Sequence, residues 1–117
     1  MDLHQALEKH AEWKVKFRSA IAKKETMDAH TIAKDTCCEL GKWLHGDAKA
    51  RYGKLPSYAQ CVLKHATFHA EAGKVAHAIN AQHFDQAEAM LGSGTSYFHA
   101  SSAVGIAISH LRKEIGG

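Results

Sequence analysis

The chain is 117 residues long, 45% apolar and 23% charged, with a net charge of +3. That leaves room for one globular unit, excludes a disordered tail, and gives too little positive charge for a nucleic-acid footprint. A single proline and the absence of alternating valine, isoleucine and threonine runs exclude a β-sandwich. No apolar run approaches the roughly 18 residues that a membrane span needs, and Met1-Asp2-Leu3-His4 does not begin a signal peptide. The expectation is a cytoplasmic protein, residues 1–117 forming a single domain, with no nucleic-acid partner and no membrane insertion.

Four helical segments account for nearly the whole chain. In the first, Leu3, Ala6, Leu7, His10, Trp13, Phe17, Ala20 and Ile21 recur at the three/four spacing of one buried stripe. The polar stretch from Lys23 to Asp28 ends it. The second runs to about Leu44, with Gly46 as a stop, and its start is open: Asp28 would cap a longer helix, whereas Thr36-Cys37-Cys38-Glu39 fits a capping box that opens a short one. A loop holding Gly53 and Pro56 follows. Ser57 then opens a third helix that turns Tyr58, Val62, His65, His69, Ala72, Ala76 and Ile79 inward. The fourth begins near Asp85, at the capping box Asp85-Gln86-Ala87-Glu88. Its stripe is Phe84, Ala87, Leu91, Gly94, Phe98, Ser101, Gly105, Ile108, Leu111 and Ile115. Short connections favour antiparallel neighbours, so the predicted fold is all-α, an antiparallel four-helix bundle.

Ten histidines are the unusual part of the composition. The three cysteines, Cys37, Cys38 and Cys61, are an odd number without a secretion signal and read as thiols rather than as a disulfide framework. His65-Ala66-Thr67-Phe68-His69 places two imidazoles on one helix face about a turn apart, where they can grip one ion. Catalytic zinc sites of this spacing need glutamate directly after the first histidine, and Ala66 stands there, so this is not a metalloprotease motif. His10 also falls on an inward stripe. A thiolate beside these imidazoles would complete a tetrahedral set for zinc between helices. Spacing alone does not choose the thiol, because Cys61 precedes His65 by the same four residues that separate His65 from His69.

The chain resembles the chemoreceptor zinc-binding domain family. Three blocks carry the resemblance in order: His10-Ala11-Glu12-Trp13, then Cys38-Glu39-Leu40-Gly41-Lys42-Trp43, then His65-Ala66-Thr67-Phe68-His69. The resemblance implies a helical-bundle zinc sensor with His10, Cys38, His65 and His69 as ligands and Zn2+ as the cofactor. It implies a homodimer coupled to a signalling output domain, in a chemoreceptor or a diguanylate cyclase, and no enzymatic activity of its own. Members of the family are linked to sensing zinc and hypochlorous acid through the ligand cysteine. Cys37 is an extra thiol beside that ligand, and no output domain accompanies these residues, as expected for a stand-alone copy or a domain excised from a longer receptor. Gly41 is expected where a helix approaches the third helix closely.

Two other classes compete. A haemerythrin-like di-iron oxygen-binding bundle would draw on the HxxxE spacings of His4/Glu8 and His110/Glu114, but these carboxylates fall beside the apolar stripes. A thiol-dependent enzyme would use Cys38 with a histidine base, and no hydrolase or oxidoreductase signature accompanies it. Gly92-Ser93-Gly94 resembles half a phosphate loop without the preceding strand such a loop requires.

Overall fold

The computed structural model describes residues 1–116, and among them every regular element is a helix. Asp2 caps the first, its carboxylate accepting from the Gln5 amide at 3.0 Å. Helices α1 (Leu3–Ala11) and α2 (Trp13–Lys23) are separated only at Glu12, whose backbone stays right-handed helical, so they run on as one rod. The rod ends in a left-handed residue, Lys24, with the Glu25 amide donating to Ala20 and the Lys24 amide to Ile21. The next turn is held by Asn80, which accepts from the Met27 amide and donates to its carbonyl, both at 2.7 Å.

The second segment departs from its sequence reading. Asp28 is used as a start, the capping box at Thr36 is not, and the segment forms two separate short helices rather than one. Asp28 caps α3 (Ala29–Ile32), accepting from the Thr31 amide and hydroxyl. A turn segment over residues 33–38 then leads to α4 (Glu39–His45), capped by Cys38 and not by Thr36. Gly46 is a joint rather than a stop: α5 (Asp47–Tyr52) occupies what the sequence suggested was loop. Helix α6 (Pro56–Asn80) opens on Pro56, which suits a first-turn position because the missing N–H would have no helical partner.

The fourth segment is also broken. Helix α7 (Phe84–Met90) ends before Gly94, which sits at φ +81°, and α8 (Ser96–Glu114) starts afresh with the Thr95 hydroxyl accepting from Phe98. The interruption resets the helical phase. The buried stripe of α8 is therefore Tyr97, Ala100, Val104, Ala107, Ile108 and Leu111, while Phe98 turns outward at 37% exposure. Gly92-Ser93-Gly94 is the turn between two helices, not a phosphate cradle.

The four rods run up, down, up, down around α6, as predicted. Ser57 at the start of α6 binds Glu114 at the end of α8, and Tyr97 near the start of α8 stacks on Phe68. The α3–α5 rod descends beside α6: Ala33 lies against Gly73, and the Tyr58 hydroxyl donates to the Leu44 carbonyl at 2.6 Å. The α1–α2 rod ascends along α8, with Leu7 near Gly105 and Phe17 edge-on to Tyr97. Phe17, Phe68, Leu44, Ile79, Leu91, Ile108 and Leu111 are fully buried. Each contributes about 1.5–3 kcal/mol of transfer free energy. No helix among the described residues is long and apolar enough to cross a membrane.

The approach of α3 to α6 depends on Gly73, where an added Cβ would stand 2.6 Å from the Ala33 Cβ and 3.0 Å from its Cα. In a free helix glycine to alanine stabilises by about 1 kcal/mol. Here Gly73→Ala is expected to lower the urea midpoint instead, and adding Ala33→Gly to recover part of the loss, because the nearer of the two overlaps is then gone.

Candidate metal centre

The four donors are delivered by three features of the fold. His10 lies in the last turn of α1 on its buried stripe, His65 and His69 lie one turn apart in the middle of α6, and Cys38 is the residue before α4. All three imidazoles are at most 5% exposed. Four donor atoms, one from each residue, lie within 4.8 Å of one another. His65 Nε2 is 3.1 Å from His10 Nε2 and 3.2 Å from Cys38 Sγ, and Cys38 Sγ is 3.6 Å from His69 Nε2. The ligand atoms of a tetrahedral zinc, at bonds of about 2.0–2.3 Å, stand about 3.3–3.6 Å apart.

Hydrogen bonds orient two of the rings. His10 Nδ1–H donates to the Ala6 carbonyl at 2.7 Å, and His69 Nδ1–H to the Ile32 carbonyl at 2.8 Å. A carbonyl only accepts, so both rings carry the proton on Nδ1 and turn an Nε2 lone pair inward. His65 differs: its Nδ1 is buried and has no hydrogen-bond partner among the described residues. Burial holds all three imidazoles below their ordinary pKa, and pushes His65 to about 3 with help from the neighbouring His69 and His10. Neutral imidazoles are the ligating form.

The thiol has two duties. Cys38 Sγ accepts from the Gly41 amide at 3.3 Å, which makes a sulfur the N-cap of α4. Burial raises the Cys38 pKa, against the lowering effect of the Gly41 and Leu40 amides. The helix start alone therefore does not make a thiolate, and a bound cation supplies what the amides lack. Gly41 is required here, although the contact that excludes a side chain is not mainly the one expected. An added Cβ would fall 1.6 Å from the Asp35 carbonyl oxygen of the preceding turn, and 3.2 Å from His65 Cε1 on α6.

The remaining candidates fall outside the cluster. Cys61 is fully buried in the core, its thiol raised to about 12 by burial, and is not among the clustered donors. Cys37 is exposed. The di-iron alternative fails on its carboxylates: Glu8 pairs with His4 at 2.7 Å on the open surface, and Glu114 is engaged by Ser57. Among the described residues no carboxylate joins the cluster, and a thiol with three imidazoles suits zinc. Four protein donors close a tetrahedral site and leave no position for a reacting water. Residue patterns did not disclose the Ala6 and Ile32 carbonyls that hold the rings. The only signal was Ala6 standing four residues before His10, one helical turn away; nothing in the pattern linked Ile32 to His69.

The chemoreceptor zinc-binding domain family matches residues 10–76, more than half of the chain, and the protein belongs to that family. The matched segment begins at His10 and contains every donor of the cluster. Zinc is thus the cofactor, by family and by donor chemistry. No curated protein and no solved structure matches the chain.

Two outcomes follow. The histidine pKa values are lowered by folding, so below about pH 6.5 the unfolded chain takes up protons that the folded one refuses. Stability of the metal-free protein is complete above that pH and lost as pH falls. At pH 5 His65 alone accounts for about 2 kcal/mol. Urea unfolding after chelation, repeated from pH 7.5 to 5, reads this directly, and a flat profile contradicts it. Second, Gly41→Ala is expected to weaken zinc binding by at least about tenfold, as the turn carrying Cys38 moves to clear the Asp35 carbonyl; a competition titration measures it.

Proposed function

We propose that His10, Cys38, His65 and His69 are the zinc ligands of a cytoplasmic sensory or regulatory domain. The observation that carries the reading is the convergence of three buried imidazole nitrogens and one thiol within 4.8 Å. The ligands come from the first three rods of the bundle, so the site ties the packing of those rods to the state of one ion. Zinc holds the Cys38 sulfur as thiolate, the form that oxidants attack. Oxidation of that sulfur weakens a ligand and removes the cap of α4 in one event. A helix freed at its start is a small packing change that an attached signalling domain can read.

The physiological reading is bacterial signal transduction, as control of a chemotaxis receptor or a diguanylate cyclase. The stimulus is zinc itself or an oxidant such as hypochlorous acid. The domain spans residues 1–117, acts as a homodimer and works on an output domain in cis or in trans, with no chemistry of its own. The closed donor set supports a sensing or structural role over a catalytic one.

Metal analysis of protein purified without added metal tests the ligand set. One zinc per chain is expected, lost or much reduced in Cys38→Ala and His69→Ala and retained in Cys61→Ala, with folding of each variant checked by circular dichroism. Iron at two per chain, or zinc retained in Cys38→Ala, overturns the reading. If the oxidant is the stimulus, stoichiometric hypochlorous acid releases zinc from the wild-type protein; release only after bulk unfolding removes that branch.

A further inference from the structure

The core and the metal centre occupy the inner side of α6 and α8, and the outer side of this helix pair has an unusual composition for a solvent face. From Ser96 to Leu111, all but the last turn of α8, the chain carries no lysine, arginine, aspartate or glutamate. Part of that run lies outside the core: Ser102 and Ile106 are exposed, and Ala103 is half-buried. Its exposed polar side chains are serines and two histidines, His99 and His110. Ile106 is 57% exposed, and Leu63 on α6 is 55% exposed. Val15 is more exposed still, at 70%, but stands alone between Lys14 and Lys16, as single apolar residues do on many soluble proteins.

Leu63 and Ile106 stand at one level. Ser57 meets Glu114 and Phe68 meets Tyr97, so both residues fall between the same two contacts of the antiparallel pair. They also share a side. Gly105 turns towards Leu7 of the α1–α2 rod, and Ile106, about 100° further round, points away from that rod and from the buried stripe. On α6, His69 and Gly73 face α3 and Phe68 faces α8, while Leu63, Thr67 and Ala70 form an exposed row outside the bundle. Two packed helices, each about 10 Å across, present a face roughly 20 Å wide, and α8 is about 28 Å long. The projected area is on the order of 600 Å² before side-chain relief is counted, against roughly 600–1,000 Å² per partner in stable complexes.

Charge selects the occupant. In a two-fold dimer a residue near the axis meets its own copy, so any charge there repels itself. Helix α8 has no such charge before Arg112, and the first in the outer row of α6 is Lys74, which pairs with Glu71 at 3.1 Å. Lys64, beside Leu63, is half-buried. An uncharged centre with charges at its ends suits a surface that pairs with itself. We propose that the outer α6–α8 face is the contact through which two copies of this chain pair about a two-fold axis, with Leu63 and Ile106 of each copy at its centre. This rests on the homodimer reading above and adds the surface to it. The same helix α6 carries His65 and His69 on its inner side, so the contact backs onto the metal centre.

Sedimentation velocity of the full chain at micromolar concentration tests this, for wild type, Leu63→Glu, Ile106→Glu, Ile106→Ala and Val15→Glu. Wild type and Val15→Glu are expected to be dimers. Leu63→Glu and Ile106→Glu are expected to raise the dimer Kd by about a hundredfold or more, since each buries two unpaired carboxylates in a two-fold contact. Helical content and zinc content are expected to stay unchanged, because both positions are exposed in the single chain. The milder Ile106→Ala, which favours helix, is expected to raise the Kd by about tenfold. A dimer that none of the Leu63 and Ile106 substitutions weakens, or that Val15→Glu weakens equally, overturns the surface while leaving the homodimer intact. A monomeric wild type overturns the homodimer and the surface together.

Discussion

Three neutral imidazoles and a thiol are turned towards one point inside the bundle, an arrangement that a single cation satisfies best. The His10 and His69 protons are committed to main-chain carbonyls, so their remaining nitrogens offer lone pairs and nothing else. His65 has one proton for His10 on one side and Cys38 on the other. A metal ion replaces this mutual frustration with four favourable contacts. Burial keeps the rings in their neutral, ligating form. An ion held there would also connect α1 at its end, α4 at its beginning and α6 at its middle.

The start of α4 is where metal chemistry and secondary structure meet. One sulfur caps the helix and joins the cluster, the amide it accepts from belongs to Gly41, and Gly41 has no room for a side chain because the turn carrying the sulfur folds back over it. The loop, the cap and the donor are therefore a single unit. This explains why a short, irregular stretch stands where a continuous second helix would have been simpler. A regular helix through residue 38 would leave no free amide for the sulfur to cap.

Much of this was legible in the residues. The up-down-up-down bundle followed from apolar spacing and short connections, and the histidine pair on α6 followed from its four-residue interval. His10 and Cys38 needed more, since a buried histidine and a half-buried cysteine each have plainer explanations; it was the order of the three blocks that selected them over Cys61. The misreadings share a physical cause. Helical periodicity runs through an interruption without registering it, so the turn at Gly94 shifted the true stripe of α8 from Phe98 to Tyr97. Asp28 and the Thr36-Cys37-Cys38-Glu39 box read as rival starts of one helix, whereas the chain starts one short helix at Asp28 and another at Cys38, with Thr36 capping neither. Main-chain carbonyls carry no signature at all, and so the anchoring of the imidazoles became visible only in three dimensions.

The imidazoles are anchored unequally. His10 and His69 are held by carbonyls of α1 and α3, while His65 has no such tether. Two rings are thus fixed by main-chain acceptors, and the third is held by burial and by its neighbours in the cluster alone. The main chain dictates the tautomer of the first two and leaves that of His65 to the cluster itself, so the state of the donors decides where that one proton sits.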